Sequence, residues 1–342
     1  MTIPDASPPS PLPPKQKASG AGEAWRMLIA LVIGFALPVL ACFGLMLTSA
    51  VALQIASLGA RPSGGLTSTA GSGPAVAIIR VNGLILSGRS GPFDQGLAAS
   101  EDIIERIRAA KEDGDVKAIV LAVDSPGGGV NASDKIYHAL KGVDKPVVVM
   151  MGDVAASGGY YISMASDWIV ANPNTLTGSI GVISEFPNAA GLLEKAGVEF
   201  VVITSGPRKD LGSPYREMTD EERAYWQTII DETYESFVAI VAEGRRMSVE
   251  EVKPLADGGV FTGQQALEAG LVDQIGYEED AIAKAAALGG ITGEPRIIEY
   301  ESAPTFFDLF SQAALRPSLT SQIAEILNLV GHPALSARWI GP

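Results

Sequence analysis

The residues best placed to do chemistry are Ser157 and Lys209. The segment GDVAASGGYY, 152–161, sets Ser157 among small residues and ahead of two glycines. Small neighbours let a second chain approach the hydroxyl. A helix opening at the glycines would turn N–H donors and the positive end of its dipole toward it. A serine nucleophile needs a base to take its proton in the transition state. The sequence holds only two histidines, His138 and His332. His138 precedes the serine on a predicted helix and reads as a packing or surface residue, and His332 lies in the distal tail. Lys209, in the Gly/Pro-punctuated loop SGPRKDLGSP, 205–214, is the economical substitute. A lysine base must be neutral when it acts, and a poorly solvated cleft favours that form. Ser–Lys pairs are a known variant of triad logic. Taken alone, AASGG reads equally well as tight packing, and Lys209 as a solvated surface charge.

A third segment, VDSPGGG at 123–129, ends a predicted strand in a Pro-Gly-Gly turn. Glycines there open backbone conformations closed to other residues and expose N–H groups. An ordinary glycine turn is the plain reading. A phosphate cradle is a weaker one, because the spacing fits neither GxGxxG nor GxxxxGK[ST].

Composition narrows the classes further. The chain has 342 residues and a formal net charge of −14. That acidity does not suit nucleic-acid binding or broad adhesion to anionic lipid, both of which need clustered Lys and Arg. Cys42 is the single cysteine, so an intrachain disulfide or a thiolate metal cluster is excluded. With two histidines, a His-based metal site is not expected either.

The elements that must position these residues follow from periodicity. Residues 1–25, rich in Pro, Ser and Lys, are expected to be a disordered tail. The uncharged run 27–47 is long enough to span a bilayer and sets the expected anchor at 26–50. Lys15, Lys17 and Arg26 precede it and only Arg61 closely follows, which places the N-terminus in the cytoplasm and the bulk outside it. Cleavage after the run, as in a signal peptide, is the competing reading. Residues 51–73 form a linker, Gly/Ser-rich from 61, and 74–300 the soluble domain. Strands are predicted at 75–81, 117–123, 146–151 and 200–204. A helix is predicted at about 100–112 with Ser100 as N-cap, another begins near Asn131, and one begins just after Ser157. Capping boxes at Thr219/Glu222, Ser248/Glu251 and Thr262/Gln265 open a long helix and two short ones. Repeated strand–turn–helix units predict an α/β domain. The tail 301–342, with a short amphipathic helix near 319–330, reads as a packing arm or oligomer contact, or as a segment touching the membrane surface or the active site.

Segments 118–130, 150–183 and 204–219 closely resemble bacterial signal peptide peptidase A in its short, single-repeat form. The likeness covers roughly residues 74–290, and SPGGG, MGDVAASGGYYISMASDWIVANPNTLTGSIGVI and SGPRKDLGSPYREMT are specific in combination. It implies the Clp protease/crotonase-like fold of repeated ββα units, with the active site at glycine turns. Clp protease uses a histidine soon after its serine; none follows Ser157 until His332, which sides with the Ser–Lys branch. By the resemblance, Ser157 is the nucleophile and Lys209 the general base. Ser179, in TGSIG, orients the lysine amine, and Gly128 supplies the oxyanion hole with Gly158 N–H as a second donor. The resemblance also implies a homo-oligomer with active sites shared between protomers and a place in the bacterial inner membrane. Its implied substrates are remnant signal peptides and other hydrophobic membrane-associated peptides. No metal or organic cofactor is called for. Two rivals stay open at this stage: a crotonase-like acyl-CoA enzyme, and an inactive membrane scaffold.

Overall fold

Strands covered on both faces read as unbroken apolar runs, and here such runs form the centre of a parallel sheet. The computed structural model describes residues 73–91 and 96–300, with the backbone of two further short strands at 66–68 and 336–338. The tail 1–25, the apolar run 27–47 and the predicted helix 319–330 lie outside the described residues. No helix among the described residues is long and apolar enough to cross a membrane.

The central strands are β2 (Ala75–Asn82), β5 (Val116–Ser125) and β7 (Val147–Ala156). They pair in parallel register, Ile78 with Val120 and Val120 with Val148. Around them the sheet is extended by β1 (Leu66–Ser68), β8 (Trp168–Ala171), β11 (Gln274–Ile275) and β12 (Arg296–Tyr300), in the order β1-β12-β2-β5-β7-β8-β11. β1 falls inside the span read as a linker. It pairs antiparallel with β12, so that stretch contributes an edge strand.

Side chains alternate between two layers, as period-2 geometry requires. Ile79, Ile119, Leu121 and Val149 face one cluster, and Val76, Ile78, Val120 and Val148 face the other. The first cluster is roofed by α1 (Ser100–Glu112) through Ile103 and Ile107, and by α2 (Val130–Lys141) through Ile136 and Leu140. The second packs on α8 (Glu278–Leu288) through Ala281 and Ala285. Ser100 is the first residue of α1 and not its cap. Ala99 holds that position, and the Ser100 hydroxyl bonds the Glu101 carboxylate instead.

A smaller second sheet rests on the same connections. β2 turns at Gly83 into β3 (Leu84–Leu86), and β5 turns at Pro126 into β6 (Gly127–Gly129). With β4 (Leu97–Ala99) and β13 (Ser336–Arg338) these run in the order β13-β6-β3-β4. Long strand, short strand, helix is thus the repeating unit, as expected for the ββα architecture.

The predicted strand at 200–204 does not form. FVVIT makes no ladder, and Val201 and Ile203 are 79% and 92% exposed. Its β-propensity is real, but propensity acts only on a neighbouring edge, and no strand of the described residues pairs with it. It follows α4 (Ala190–Ala196), which buries none of its residues.

The long helix α5 (Asp220–Arg245) begins on the expected box: the Thr219 hydroxyl accepts from Glu222 N–H, and the Glu222 carboxylate accepts from Thr219 N–H. Its C-terminal half docks through buried Phe237, Val238 and Val241, and the Phe237 ring lies 5.0 Å from that of Tyr161. Short α6 (Val249–Val252) continues into a 3₁₀ turn, and α7 (Gly263–Glu268) follows β10 (Val260–Thr262). Both short helices carry the expected capping boxes.

Two expected outcomes follow. Phe237→Ala opens a cavity under α5 and should lower the unfolding free energy by about 3–5 kcal/mol in a denaturant titration; a loss under about 1 kcal/mol would contradict this packing. Arg216 hydrogen bonds hold the Glu222 carboxyl down to about 2, below its ordinary 4.5. A depressed carboxyl stabilises the fold fully above 4.5, and this contribution fades as pH falls toward 2. Glu222→Gln should therefore melt below the parent at neutral pH, with the gap closing on acidification; a gap independent of pH would refute the ion-pair account.

Candidate active site

β7 is shared between two neighbours, and this sharing builds the site. Val148–Met151 pairs with β8, whereas Val154–Ala156 pairs with β9 (Leu176–Gly178). Between these halves the β5 register shifts next to Asp124, whose carboxylate accepts from Val154 N–H at 3.0 Å. The strand is thereby redirected, and its last residue, Ala156, stands opposite Gly178.

Ser157 comes next, at the junction with α3 (Gly158–Ser163). Its backbone adopts φ 52° and ψ −114°, a region that costs a non-glycine residue about 1–3 kcal/mol. Two hydrogen bonds hold it there: Ser157 N–H donates to Gly178 O at 2.8 Å, and Tyr161 N–H donates to Ser157 O at 2.8 Å. The residue is 1% exposed, and its Oγ has no hydrogen-bond partner among the described residues. A serine at a helix start ordinarily caps it through that oxygen, and here no such bond is made. Ser133 also has an unpartnered buried hydroxyl, but it sits within regular helix α2. Strained backbone together with a free hydroxyl is what distinguishes Ser157.

The glycines around Ser157 are required by close approach. A Cβ on Gly159 would fall 2.8 Å from Ser125 O, at the end of β5. A Cβ on Gly128 would fall 1.9 Å from Ile85 O, so β6 can lie on β3 only as glycine. β6 in turn packs against α3, which brings Gly128 and Gly158 to the same corner of the fold. The outer edge of β6 is met by β13, antiparallel, with Ala337 opposite Gly128.

Ser179 follows the strand that holds Ser157. It too has a left-handed backbone, φ 49°, and its N–H donates to Gly259 O at 2.8 Å. It lines an open hollow of about 450 Å³ with Ile183, Asp231, Tyr234 and Asp257. Ser157 is thus bonded to the strand that ends just before Ser179, and β6 with Gly128 packs on the helix that opens at Gly158.

Lys209 does not join them. It is exposed in the 205–216 loop, beside a separate hollow of about 800 Å³ lined by Arg208, Glu221 and Tyr225. Ser157 lines neither hollow. Because the Ser157 Oγ is unpartnered, the Lys209 amine is not within hydrogen-bond reach of it in the single chain. His138 is exposed on α2 with Asp134 at 3.5 Å, and it makes no bond to the Ser157 hydroxyl.

One feature of the loop was not foreseen. Arg216 donates through Nε to Asp210 Oδ2 at 2.8 Å, and through its two terminal nitrogens to Glu222 Oε2 at 2.8 Å and Oε1 at 2.5 Å. The same nitrogens reach the Glu217 and Asp210 carbonyls. The alternation Asp210, Arg216, Glu222 at equal six-residue spacing, starting just after Lys209, was the available signal. Among the described residues no group of His, Cys, Asp and Glu could hold a metal ion.

The arrangement is one that can attack a carbonyl: a hydroxyl free of other bonds, flanked by glycine backbone and by the first N–H groups of α3. The sequence of the chain has known relatives. The sequence model for peptidase family S49 matches residues 139–292, and that for Clp protease matches residues 91–175. A candidate protease of Synechocystis sp. is 44% identical over 229 residues, covering 66% of this chain and 78% of its own. A candidate signal peptide peptidase SppA of Enterococcus faecium is 41% identical over 233 residues, 67% of each chain. Protease 4 of Salmonella typhi is 38% identical over 276 residues, which is 80% of this chain and 44% of its own. The chain belongs to peptidase family S49 and is a serine-type endopeptidase.

Proposed function

We propose that this peptidase works through a Ser157–Lys209 dyad, on remnant signal peptides and other hydrophobic membrane-associated peptides, while anchored in the bacterial inner membrane. The buried, unpartnered Ser157 hydroxyl on its strained backbone carries the reading. Membership of a peptidase family sets aside the acyl-thioester alternative.

In the reaction, the neutral Lys209 amine takes the Ser157 hydroxyl proton as Oγ attacks the scissile carbonyl carbon. The tetrahedral oxyanion is received by backbone N–H groups at Gly128 and Gly158, usually the largest single contribution to such catalysis. The C–N bond then breaks, and the protonated amine gives its proton to the leaving nitrogen. Water repeats the cycle on the acyl-enzyme and frees Ser157. Ser179, one residue past the strand that holds Ser157, is the group that orients the amine. An extended substrate has a place beside Gly128: the chain's own residues 336–338 already lie antiparallel along Gly127–Gly129.

The base reaches the serine between protomers of a homo-oligomer. Two observations support this. Neither the Ser157 hydroxyl nor the Lys209 side chain has a partner among the described residues. The segment Val198–Ile203, just ahead of Lys209, exposes Val198, Phe200, Val201, Val202 and Ile203, an apolar edge suited to a second copy. Residues 26–50 serve as the retained span, with the N-terminus cytoplasmic and the peptidase domain outside. An anchor of this kind concentrates the enzyme where its substrates are.

Ser157→Ala and Lys209→Ala should each abolish peptide hydrolysis with fold and assembly intact; full activity in either would sink the dyad. Mixing the two inactive variants during assembly should restore about a quarter of the sites if serine and lysine come from different protomers of a closed ring. No recovery, despite mixed oligomers, would place both in one chain.

A further inference from the structure

We infer that Arg216 is a positioning residue for the reaction, a clamp that fixes the loop carrying Lys209 to the start of α5. This rests on Lys209 being the base. The loop 205–216 has no helix or strand of its own, and Lys209 within it makes only a backbone bond, its N–H to Gly206 O at 3.2 Å. The loop's other ties lie further on, at Ser213 N–H to Asp210 O and Ala189 N–H to Pro214 O, and these alone would leave a base at 209 free to sample many positions. A misplacement of about 1 Å in a reacting group costs roughly 100-fold in rate.

Arg216 supplies the missing order. Its guanidinium grips the residue after the lysine twice, at the Asp210 carboxylate and the Asp210 carbonyl (3.3 Å). Its other face takes both oxygens of Glu222. Glu222 cannot drift, because the same carboxylate accepts from Thr219 N–H in the capping box, and it is buried. A chain of bonds therefore runs from a helix terminus through Glu222, Arg216 and Asp210 to the backbone adjoining Lys209. The two acids consume the positive charge of Arg216. They leave the Lys209 amine itself outside the network and free for another partner. Only a planar fork with donors on two edges makes this bridge; a lysine at 216 would bring the charge but not the geometry.

The test compares Arg216→Lys, Arg216→Ala and Asp210→Asn in the full-length assembled enzyme, with Lys209→Ala beside them. Arg216→Lys should lower kcat about 10- to 100-fold with KM and oligomeric state unchanged. Asp210→Asn, which keeps an acceptor for Nε, should lose less. Millimolar guanidinium added to Arg216→Ala should return part of the lost kcat, which a purely structural defect would not show. Wild-type kcat in Arg216→Lys and Asp210→Asn, with Lys209→Ala inactive, would overturn the clamp alone. So would losses that follow the melting temperature and ignore guanidinium. Activity retained in Lys209→Ala would overturn the dyad on which the clamp depends.

Discussion

Everything at this site depends on one hydrogen bond, from Ser157 N–H to Gly178 O. It pins a non-glycine residue in a left-handed conformation at the end of a buried parallel strand. That conformation is costly, and the surrounding sheet must overdetermine it. The sheet does so by passing β7 from β8 to β9 midway and by bridging the β5 irregularity with Asp124. The result is a hydroxyl lifted out of both strand and helix hydrogen bonding, buried yet unspent. The same backbone bond ties Ser157 to the strand that leads into Ser179.

The segment that carries Lys209 is built differently. Lys209 sits on a loop whose order comes from charge pairing and a helix cap, not from sheet packing. Under the proposed dyad, a buried serine and an exposed lysine on a separate loop are the layout expected of a site closed by a second subunit. The exposed apolar run before Lys209 has strong β-propensity and lies unpaired among the described residues, as the proposed subunit contact would require. Phe200 stacked on Tyr215 at 3.9 Å joins that run to the loop, so docking of one would steady the other.

Much of this was legible in the sequence, for reasons that can be named. Buried parallel strands read as apolar runs, so 75–81, 117–123 and 146–151 emerged as the central sheet. Capping boxes announce themselves by spacing, and Thr219/Glu222, Ser248/Glu251 and Thr262/Gln265 all formed. Ser157 stood out through its small neighbours and the scarcity of histidine. FVVIT failed because local propensity says nothing about whether an edge is free. Ser100 failed as a cap because its hydroxyl found the adjacent Glu101 instead. The strand at 66–68 hid in a Gly/Ser-rich stretch, since an edge strand needs little apolar pattern. Arg216 was missed because no single residue marks a clamp; only the folded loop brings Asp210 and Glu222 to opposite edges of one guanidinium.

The central claim is that the Ser157 hydroxyl and the Lys209 amine meet when the enzyme assembles. An experimental structure of the full-length oligomer tests this most directly, through the distance between Ser157 Oγ and the nearest Lys209 Nζ. The account predicts hydrogen-bond contact, about 2.7–3.2 Å, across a subunit boundary. An assembled enzyme in which every Lys209 amine stays out of reach of Ser157, with another group on the hydroxyl, would contradict it.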